Sequence, residues 1–330
     1  MKRIVVLGGG TGTYTVLSAI KHFSDVDITA IVSSADSGGS TGVLRDEFGQ
    51  LPVGDFRQCL VALSQDGNGD NILRRLFEYR FSKGGPGLEG HNFGNLLITA
   101  LKEILGSEEL AFRKASKILN IKGRVFPITF DSIQLVAQYE NGTIAFGEEM
   151  IDNPDTSHDG KRRISKLWVQ PKAKIFEKSK DAIINADYII LGPGDLYTSI
   201  LANVVVDGVD KAFKKSSGKI IYITNIFSKW GQTHGFKTCD YVLEIEKYIG
   251  REINHILVNN KKLPKSSLTK YELEKSYMVE DDLGGDPRIA RSDLLKSVEV
   301  NPIKGDRVKR SLLRHDSKKL GKELSLIILI

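Results

Sequence analysis

The chain has 330 residues, a hydrophobic content of 41% and a net charge of +6. Its length accommodates an α/β domain with a subdomain, and its ordinary composition excludes a disordered chain and a disulfide scaffold. Because the basic residues are spread along the chain rather than gathered into one aromatic-laced patch, we expect a small anionic ligand and no nucleic-acid partner.

The sequence also predicts the cellular location of the protein. The sequence has no uncharged apolar run of about 18 residues, which a membrane-spanning helix needs, and the apolar run at residues 4–7 is too short for a signal peptide. Its two cysteines, Cys59 and Cys239, lie in apolar helical contexts and are expected to be buried thiols in a reducing compartment. We therefore expect a cytoplasmic protein without membrane insertion.

The first predicted unit is a strand, a glycine turn and a helix. Residues 3–7 form a short β-branched run, and residues 14–22 have helical periodicity. The turn between them would point backbone N–H groups and the positive end of a helix at an anion. The dinucleotide fingerprint G-x-G-x-x-G is incomplete here, because Thr13 stands where the third glycine belongs. The candidate ligand residues of this turn are Gly9, Gly10, Thr11, Gly12 and Thr13.

A second strand over residues 27–33 leads into a second glycine loop at residues 35–42. An NAD-binding domain would use the acid after this strand to bind ribose, but Asp36 is embedded in the glycine loop, so we interpret it as a phosphate or metal contact. Asp55, at the start of a helix over residues 55–65, is either a second metal ligand or the N-cap of that helix. The candidates from this region are Asp36, Ser37, Gly38, Gly39, Asp55 and Arg57.

Strand and helix patterns continue to alternate along the chain. Further helices are predicted at residues 69–80, 92–105, 108–119 and 236–249, and further strands at residues 124–130, 187–191 and 219–224. This alternation predicts a doubly wound, mostly parallel, Rossmann-like sheet in a three-layer α/β/α arrangement.

One segment departs from the alternation. Residues 134–147 read as an antiparallel hairpin with a type I′ turn, followed by a polar surface loop at residues 149–165 and a strand at residues 166–177. We assign these to an insertion at about residues 131–177 of a nucleotide-binding core that spans residues 1–260. Residues 261–330 form a lid-like C-terminal segment that completes the ligand cleft, and its apolar end at residues 324–330 is predicted as a final buried strand.

Three more polar loops follow predicted strands or open a predicted helix, where α/β proteins bind ligands. In the loop at residues 90–95, Asn92 is an N-cap candidate, and His91 is either its neighbour or a ligand contact. The other two loops follow the strands at residues 187–191 and 219–224. The candidates from these loops are His91, Asn92, Asn95, Gly192, Gly194, Asp195, Tyr197 and Asn225.

Several of these motifs, in order, closely resemble one known family, the YvcK-type gluconeogenesis factors, which are related to the 2-phospho-L-lactate transferases. The resemblance rests on Gly-Gly-Gly-Thr-Gly at 8–12, Ala-Asp-Ser-Gly-Gly-Ser-Thr-Gly-Val-Leu-Arg at 35–45, Gly-Asp-Phe-Arg-Gln-Cys-Leu at 54–60, Gly-His-Asn-Phe-Gly-Asn-Leu at 90–96 and Gly-Pro-Gly-Asp-Leu-Tyr-Thr-Ser-Ile at 192–200.

The resemblance implies an α/β protein that binds UDP-sugars, especially UDP-N-acetylglucosamine, and supports cell shape and wall synthesis on gluconeogenic carbon sources. It also implies that Tyr271 and Arg314 are the family's ligand-contacting tyrosine and arginine, although Tyr271 is equally interpretable as a helix tyrosine packed on the body. Ser37 departs from the pattern, because it replaces a second acid that is common beside Asp36. We keep a cell-wall synthesis protein and a second copy of the chain as candidate partners.

Three hypotheses about function follow. The first is a UDP-sugar-binding regulator without turnover. The second is a transferase of a phosphorus-containing group, which would need Mg²⁺ held by acids such as Asp36 and Asp55. The third, a nicotinamide-dependent oxidoreductase, rests only on the first glycine turn. Zinc and hydrolase chemistry lack their usual motifs in this sequence.

Overall fold

The computed structural model describes residues 1–65, 72–85, 87–155, 158–263, 265–296 and 313–330. The strands are β1 (Lys2–Gly8), β2 (Val26–Val32), β3 (Arg124–Pro127), β4 (Gln134–Tyr139), β5 (Ile144–Phe146), β6 (Ile164–Gln170), β7 (Tyr188–Leu191), β8 (Lys219–Ile223), β9 (His255–Asn259) and β10 (Ile289–Ser292). The helices are α1 (Gly10–Ile20), α2 (Gly39–Phe48), α3 (Gly54–Leu63), α4 (Ile72–Glu78), α5 (Phe93–Leu105), α6 (Glu108–Ile118), α7 (Glu148–Asp152), α8 (Glu177–Ile184), α9 (Ala202–Val204), which continues a π-helical turn at Leu196–Leu201, α10 (Val209–Lys215), α11 (Thr238–Ile249), α12 (Lys265–Leu273) and α13 (Ser317–Ile328).

A parallel sheet forms the centre of the molecule, which confirms the predicted fold class. In the described part of the chain its strand order is β10-β9-β8-β7-β1-β2-β3, and every neighbouring pair is parallel. The chain winds outward from β1 in one direction and from β7 in the other. The strand order therefore reverses between β1 and β7, and in open α/β sheets the crevice at such a point is where ligands bind.

Helices cover both faces of this sheet. Alternate residues of β1 point to opposite faces, so that Val5 and Leu7 enter one core, which contains α8, α10 and α11. Ile4 and Val6 enter the other core, which contains α1, α3 and α13. Because both faces are buried, the central strands are continuous apolar runs rather than alternating ones.

A smaller antiparallel sheet, in the order β5-β4-β6, lies in the predicted insertion. The predicted hairpin between β4 and β5 is present, but its type I′ turn is wrong. Such a turn needs positive φ at both central residues, whereas here only Gly142 has it, with φ +84°. The amide of Gly142 donates to the carbonyl of Tyr139 and the amide of Tyr139 donates to the carbonyl of Thr143, which gives a three-residue loop with glycine in the left-handed position.

Several predicted boundaries also change. The first helix begins at Gly10, inside the glycine turn, and α11 begins at Thr238 rather than at residue 236. The strand predicted at residues 166–177 ends at Gln170. Cys59 is buried as expected, but Cys239 is only half-buried in the first turn of α11. Residues 69–71 of the helix predicted at 69–80 lie outside the described residues.

The predicted strand at residues 324–330 is wrong, because residues 324–328 belong to α13 and the last two residues follow it. The carboxylate of Asp316 accepts hydrogen bonds from the amides of Lys318 and Lys319 at 2.9 and 3.0 Å, so α13 has a strong N-cap. Leu320, Leu324 and Ile328 recur every four residues and pack on the α1 side of the sheet. None of the helices in the described part of the chain combines the length and the apolar character needed to cross a bilayer.

The helical assignment of α13 makes a prediction that a strand would not. Leu324 is fully buried, whereas Leu326 is 53% exposed, although the two side chains would share a face in a strand. Leu324→Ala should lower the free energy of unfolding by about 2–5 kcal/mol, and Leu326→Ala should change it by less than about 0.5 kcal/mol. Urea denaturation of both variants measures this, and equal losses would contradict the helix.

Candidate functional site

A cleft of about 1150 Å³ opens at the carboxyl ends of the central strands, around the point where the strand order reverses. Its walls come from the loops after β1, β2, β7 and β8, from the starts of α3 and α5, from α7 beside the small antiparallel sheet, and from two C-terminal segments. The expected ligand residues that line it are Gly9, Gly10, Thr11, Gly12, Asp36, Ser37, Gly38, Gly39, Asp55, Arg57, Asn95, Gly194, Asp195, Asn225, Tyr271 and Arg314.

Five expected ligand residues do not line the cleft: Thr13, His91, Asn92, Gly192 and Tyr197. Thr13 is fully buried, and its hydroxyl donates to the carbonyl of Gly9 at 3.2 Å. The hydroxyl of Tyr197 donates to the carboxylate of Glu244, and burial raises the pKa of Tyr197 well above its usual range. Gly192 has φ +74° and supports the turn after β7. These residues therefore support the loops of the cleft without lining it.

The loop at residues 90–95 supports the cleft through a buried network. The side-chain oxygen of Asn92 accepts a hydrogen bond from the amide of Asn95 at 3.3 Å, so the predicted N-cap of α5 is present. Asn95 in turn accepts from Nε of buried Arg57 at 2.9 Å. His91 Nδ1 lies 3.0 Å from the hydroxyl oxygen of Ser40, and Ser40 lines the cleft. His91 therefore reaches the cleft only through Ser40.

The first glycine turn is held against its neighbours by contacts that only glycine allows. A Cβ on Gly12 would lie 1.8 Å from the backbone oxygen of Pro193, and a Cβ on Gly9 would lie 2.1 Å from a carboxylate oxygen of Asp55. Asp55 Oδ1 accepts a hydrogen bond from the amide of Gly10 at 2.8 Å. Asp55 is thus not the N-cap of α3, which is Val53. Its carboxylate instead ties α3 to the start of α1.

The second glycine loop presents an uncapped helix end to the cleft. The side chain of Asp36 accepts a hydrogen bond from the amide of Gly38 at 3.0 Å, and α2 begins at the next residue without a side-chain cap. The first N–H groups of a helix carry a partial positive charge and need acceptors. The start of α2 can therefore contact an anionic group in the cleft.

Acidic side chains gather on one side of the cleft. Burial, followed by the neighbouring Asp55 carboxylate, raises the pKa of Asp36 to about 7. Burial and the charges of Asp36 and Asp152 raise the pKa of Glu148 well above its usual range. Glu148 and Asp152 belong to α7, and sequence analysis missed both because that segment reads as an ordinary polar connection.

One lysine joins three walls of the cleft. Lys229 Nζ pairs with Asp195 at 2.8 Å and also with Asp152, so it links the loops after β7 and β8 to α7. Burial would raise the pKa of Asp195, but the Lys229 ammonium outweighs burial and holds this pKa below its usual range. Asp195, expected as a ligand residue, therefore serves as an ion-pair partner.

The C-terminal wall brings two predicted residues together across a long sequence separation. The Tyr271 ring stacks on Phe227 with centroids 3.8 Å apart and an interplanar angle of 8°. The Tyr271 hydroxyl accepts a hydrogen bond from the amide of Leu313 at 2.8 Å, and the next residue is Arg314. Tyr271 thus packs on the body and lines the cleft at once. Phe227 has no distinguishing sequence pattern and was missed.

The acid pair also has the chemistry of a Mg²⁺ site. In the described ranges, no three His, Cys, Asp or Glu side chains are close enough together to hold a metal ion. The Asp55 carboxylate nonetheless lies close enough to Asp36 to contribute to the raised pKa of Asp36. Mg²⁺ is usually held by one or two carboxylates plus waters and phosphates, so this pair fits an ion that arrives with a phosphate ligand.

Comparison with known proteins identifies the family. The model of the family described as 2-phospho-L-lactate transferase CofD matches residues 4–303. A Thermotoga maritima protein named "Putative gluconeogenesis factor" is 39% identical over 319 residues, which cover 97% of each chain. A Bacillus subtilis protein named "Gluconeogenesis factor" is 36% identical over 323 residues, which cover 97% of this chain and 96% of that protein. The chain belongs to the CofD-related gluconeogenesis factor family.

The fold of this family member agrees with a solved structure. The crystal structure of a UPF0052-family protein from Bacillus halodurans covers all of this chain and matches it with a TM-score of 0.86 at 34% identity. The family resemblance deduced from the glycine-rich motifs is therefore confirmed.

The buried acid cluster predicts a specific pH dependence of stability. Between the ordinary pKa of 3.8 and about 7, the unfolded chain loses the Asp36 proton while the folded chain keeps it, so folding stability falls as the pH rises through this window. Asp36→Asn should remove that loss. It should raise the free energy of unfolding at about pH 8 by on the order of 2–4 kcal/mol and change it little near pH 4.

Urea denaturation across this pH range measures the effect. Asp46→Asn is the matched control, because Asp46 lies in α2 but its side chain is 73% exposed. It should leave the pH dependence unchanged. If Asp36→Asn also leaves it unchanged, the near-neutral proton does not belong to Asp36.

Proposed function

We propose that this protein is a binding regulator whose ligand is a nucleotide sugar of the UDP-N-acetylglucosamine type. The observation that supports this most is the composition of the cleft, which is lined both by two glycine-rich helix starts and by Tyr271 and Arg314 of the C-terminal wall. Its volume of about 1150 Å³ is slightly above the usual range of about 300–1,000 Å³ for small-molecule sites, which leaves room for a nucleotide joined to a sugar. The helix starts would receive the phosphates.

The balance of charge in the cleft bears on how a diphosphate would bind. Positive charge in the cleft comes from residues that include Arg57, Arg80 and Arg314. Two of the acidic side chains that line the same cleft are Asp36 and Glu148. Burial raises the pKa of both carboxyl groups, that of Asp36 to about 7, which favours their protonated forms and reduces their repulsion of phosphate. A Mg²⁺ ion that accompanies the diphosphate would neutralise the Asp36–Asp55 pair in the same way.

The C-terminal wall offers a route from binding to regulation. Tyr271 and Leu313 are joined by one hydrogen bond and are 42 residues apart in the chain. A ligand that contacts Tyr271 and Arg314 would hold both segments against the core, and it would shift a conformational equilibrium by its difference in affinity for the two states. A cytoplasmic cell-wall synthesis protein would then sense the altered surface. This links the ligand to the proposed role in cell shape on gluconeogenic carbon sources.

A second candidate is a Mg²⁺-dependent transferase of a phosphorus-containing group. It is favoured by the neighbouring Asp36 and Asp55 carboxyl groups beside the glycine turns and by the family model named for a transferase. A bound Mg²⁺ would neutralise charge on the phosphates. The chain's own residues would orient the donor at the start of α1 and exclude water under the C-terminal wall.

The nicotinamide hypothesis has less support than the other two. Thr13 fills the position of the third glycine and is fully buried. Asp36, which would have to meet a ribose hydroxyl, is bonded to the amide of Gly38 in the glycine loop.

The proposed function predicts that Arg314 contributes to affinity. If its guanidinium pairs with the diphosphate, Arg314→Ala should weaken UDP-N-acetylglucosamine binding by about 1.5–3 kcal/mol. Isothermal titration calorimetry measures this, with Arg113→Ala, an exposed arginine of α6, as the matched control that should bind like the parent. Unchanged affinity in Arg314→Ala would show that this arginine does not bind the ligand.

The same titration separates the candidate functions. Saturable binding of the UDP-sugar, with the ligand recovered intact, supports the regulator. Consumption of an activated nucleotide that needs Mg²⁺ and is lost in Asp36→Ala supports the transferase. Absence of saturable binding at millimolar UDP-N-acetylglucosamine would refute the favoured function.

A further inference from the structure

A second cavity of about 610 Å³ adjoins the cleft. Ser228 and Trp230 line both cavities, so the segment that follows β8 is the wall between them. We call this cavity the tryptophan pocket. Its lining residues are Lys161, Ser228, Trp230, His234, Gly235, Phe236, Lys237, Lys275, Tyr277, Met278 and Glu280.

Trp230 is fixed in the wall of the tryptophan pocket by contacts on several sides. A Cβ on Gly160 would lie 2.2 Å from an indole ring carbon of Trp230, so the ring rests directly on the glycine backbone. The ammonium of Lys275 lies 4.2 Å from the indole centroid, and the His234 ring meets the indole edge at 4.8 Å. His234 also meets Tyr277 edge-on at 5.5 Å. The pocket therefore presents an ordered group of aromatic rings.

The charges around these rings are predominantly positive. Lys237 pairs with Glu280 at 2.9 Å. For Lys161 and Lys275, by contrast, no carboxylate of the described residues lies within ion-pair distance of the ammonium. His234 adds a buried Nδ1 that no described group satisfies, and such atoms are rare unless a bound group completes them.

The apolar rim of the tryptophan pocket remains accessible. Tyr277 is 47% exposed and Met278 is 45% exposed, so a ligand that covers these side chains would remove apolar surface from water. A volume of about 610 Å³ is well within the range of small-molecule sites. Aromatic rings, accessible apolar surface and two ammonium groups that pair with no carboxylate of the described residues together select for a flat, acidic molecule.

We propose that the tryptophan pocket binds a small organic anion with a planar aromatic ring. The ring packs against Trp230 and Tyr277, where edge-to-face and cation–π contacts favour aromatic groups. The acidic group faces Lys161 and Lys275. This site is separate from the proposed nucleotide-sugar site, because its charged residues do not line the main cleft.

The segment shared by the two cavities provides a physical connection between their binding sites. The amide of Ser228 donates to the carbonyl of Tyr277 at 2.7 Å, and the amide of Tyr277 donates to the Ser228 hydroxyl at 3.1 Å. The next residue, Lys229, makes the ion pairs with Asp152 and Asp195 in the main cleft. A ligand in the tryptophan pocket therefore contacts the segment that holds the main cleft together, and any effect on affinity must be reciprocal.

The two tryptophans of the sequence make a direct test available. In the ¹⁵N-labelled chain, Trp168→Phe leaves Trp230 as the only indole, so its Nε1 signal in NMR reports on the pocket alone. The probe is 2-naphthoate, an aromatic anion, compared with the neutral 2-naphthylmethanol and the non-aromatic cyclohexanecarboxylate. We expect a saturable shift with 2-naphthoate and at least about fivefold weaker binding of the other two.

Matched lysine variants locate the probe. The double variant Lys161→Gln and Lys275→Gln should weaken 2-naphthoate binding at least about fivefold. The control double variant, Lys172→Gln and Lys211→Gln, removes the same charge from exposed lysines that line neither cavity, and it should bind like the parent. No saturable shift of the Trp230 signal, or equal affinity in the two double variants, would overturn the proposal. Neither result depends on UDP-N-acetylglucosamine, so the two proposals fail independently.

Discussion

The close approach of three loops between β1 and β7 is the constraint on which the rest of the site depends. Gly12 can lie against the backbone of Pro193, and Gly9 against the Asp55 carboxylate, only because neither carries a Cβ. This packing brings the starts of α1 and α3 together at the point where the strand order reverses. A larger residue at either position would separate the loops that form the cleft.

Electrostatic interactions across the cleft determine how its walls are held. Lys229 is placed between Asp152 and Asp195, so one ammonium connects the loops after β7 and β8 with α7. Beside this ion pair, burial and the neighbouring Asp55 carboxylate raise the pKa of Asp36, and burial and the charge of Asp36 raise the pKa of Glu148, so full ionisation of this acid group is unfavourable. The first group holds the walls together, whereas the second stores a repulsion that a proton, a cation or a phosphate-bound metal can relieve.

Family membership and cleft chemistry answer different questions. The relatives named as gluconeogenesis factors, the transferase family model and the solved structure from Bacillus halodurans agree on one family and one fold. A shared fold does not fix function, since a regulator and a transferase can use the same glycine turns to hold phosphate. The two functions differ in what happens to the ligand after it binds.

Sequence alone determined the features that depend on neighbouring residues. The β1 turn, the Asn92 cap and the glycine loops were predictable because strand propensity, capping and positive φ are local properties. The final helix was missed because an apolar run of seven residues fits a strand or a helix equally, and its Asp316 cap lies well upstream. Tertiary structure alone decided which distant groups meet, as in Lys229 with Asp152 and Tyr271 with Phe227. These contacts depend on how the loops fold over the sheet, which no local pattern encodes.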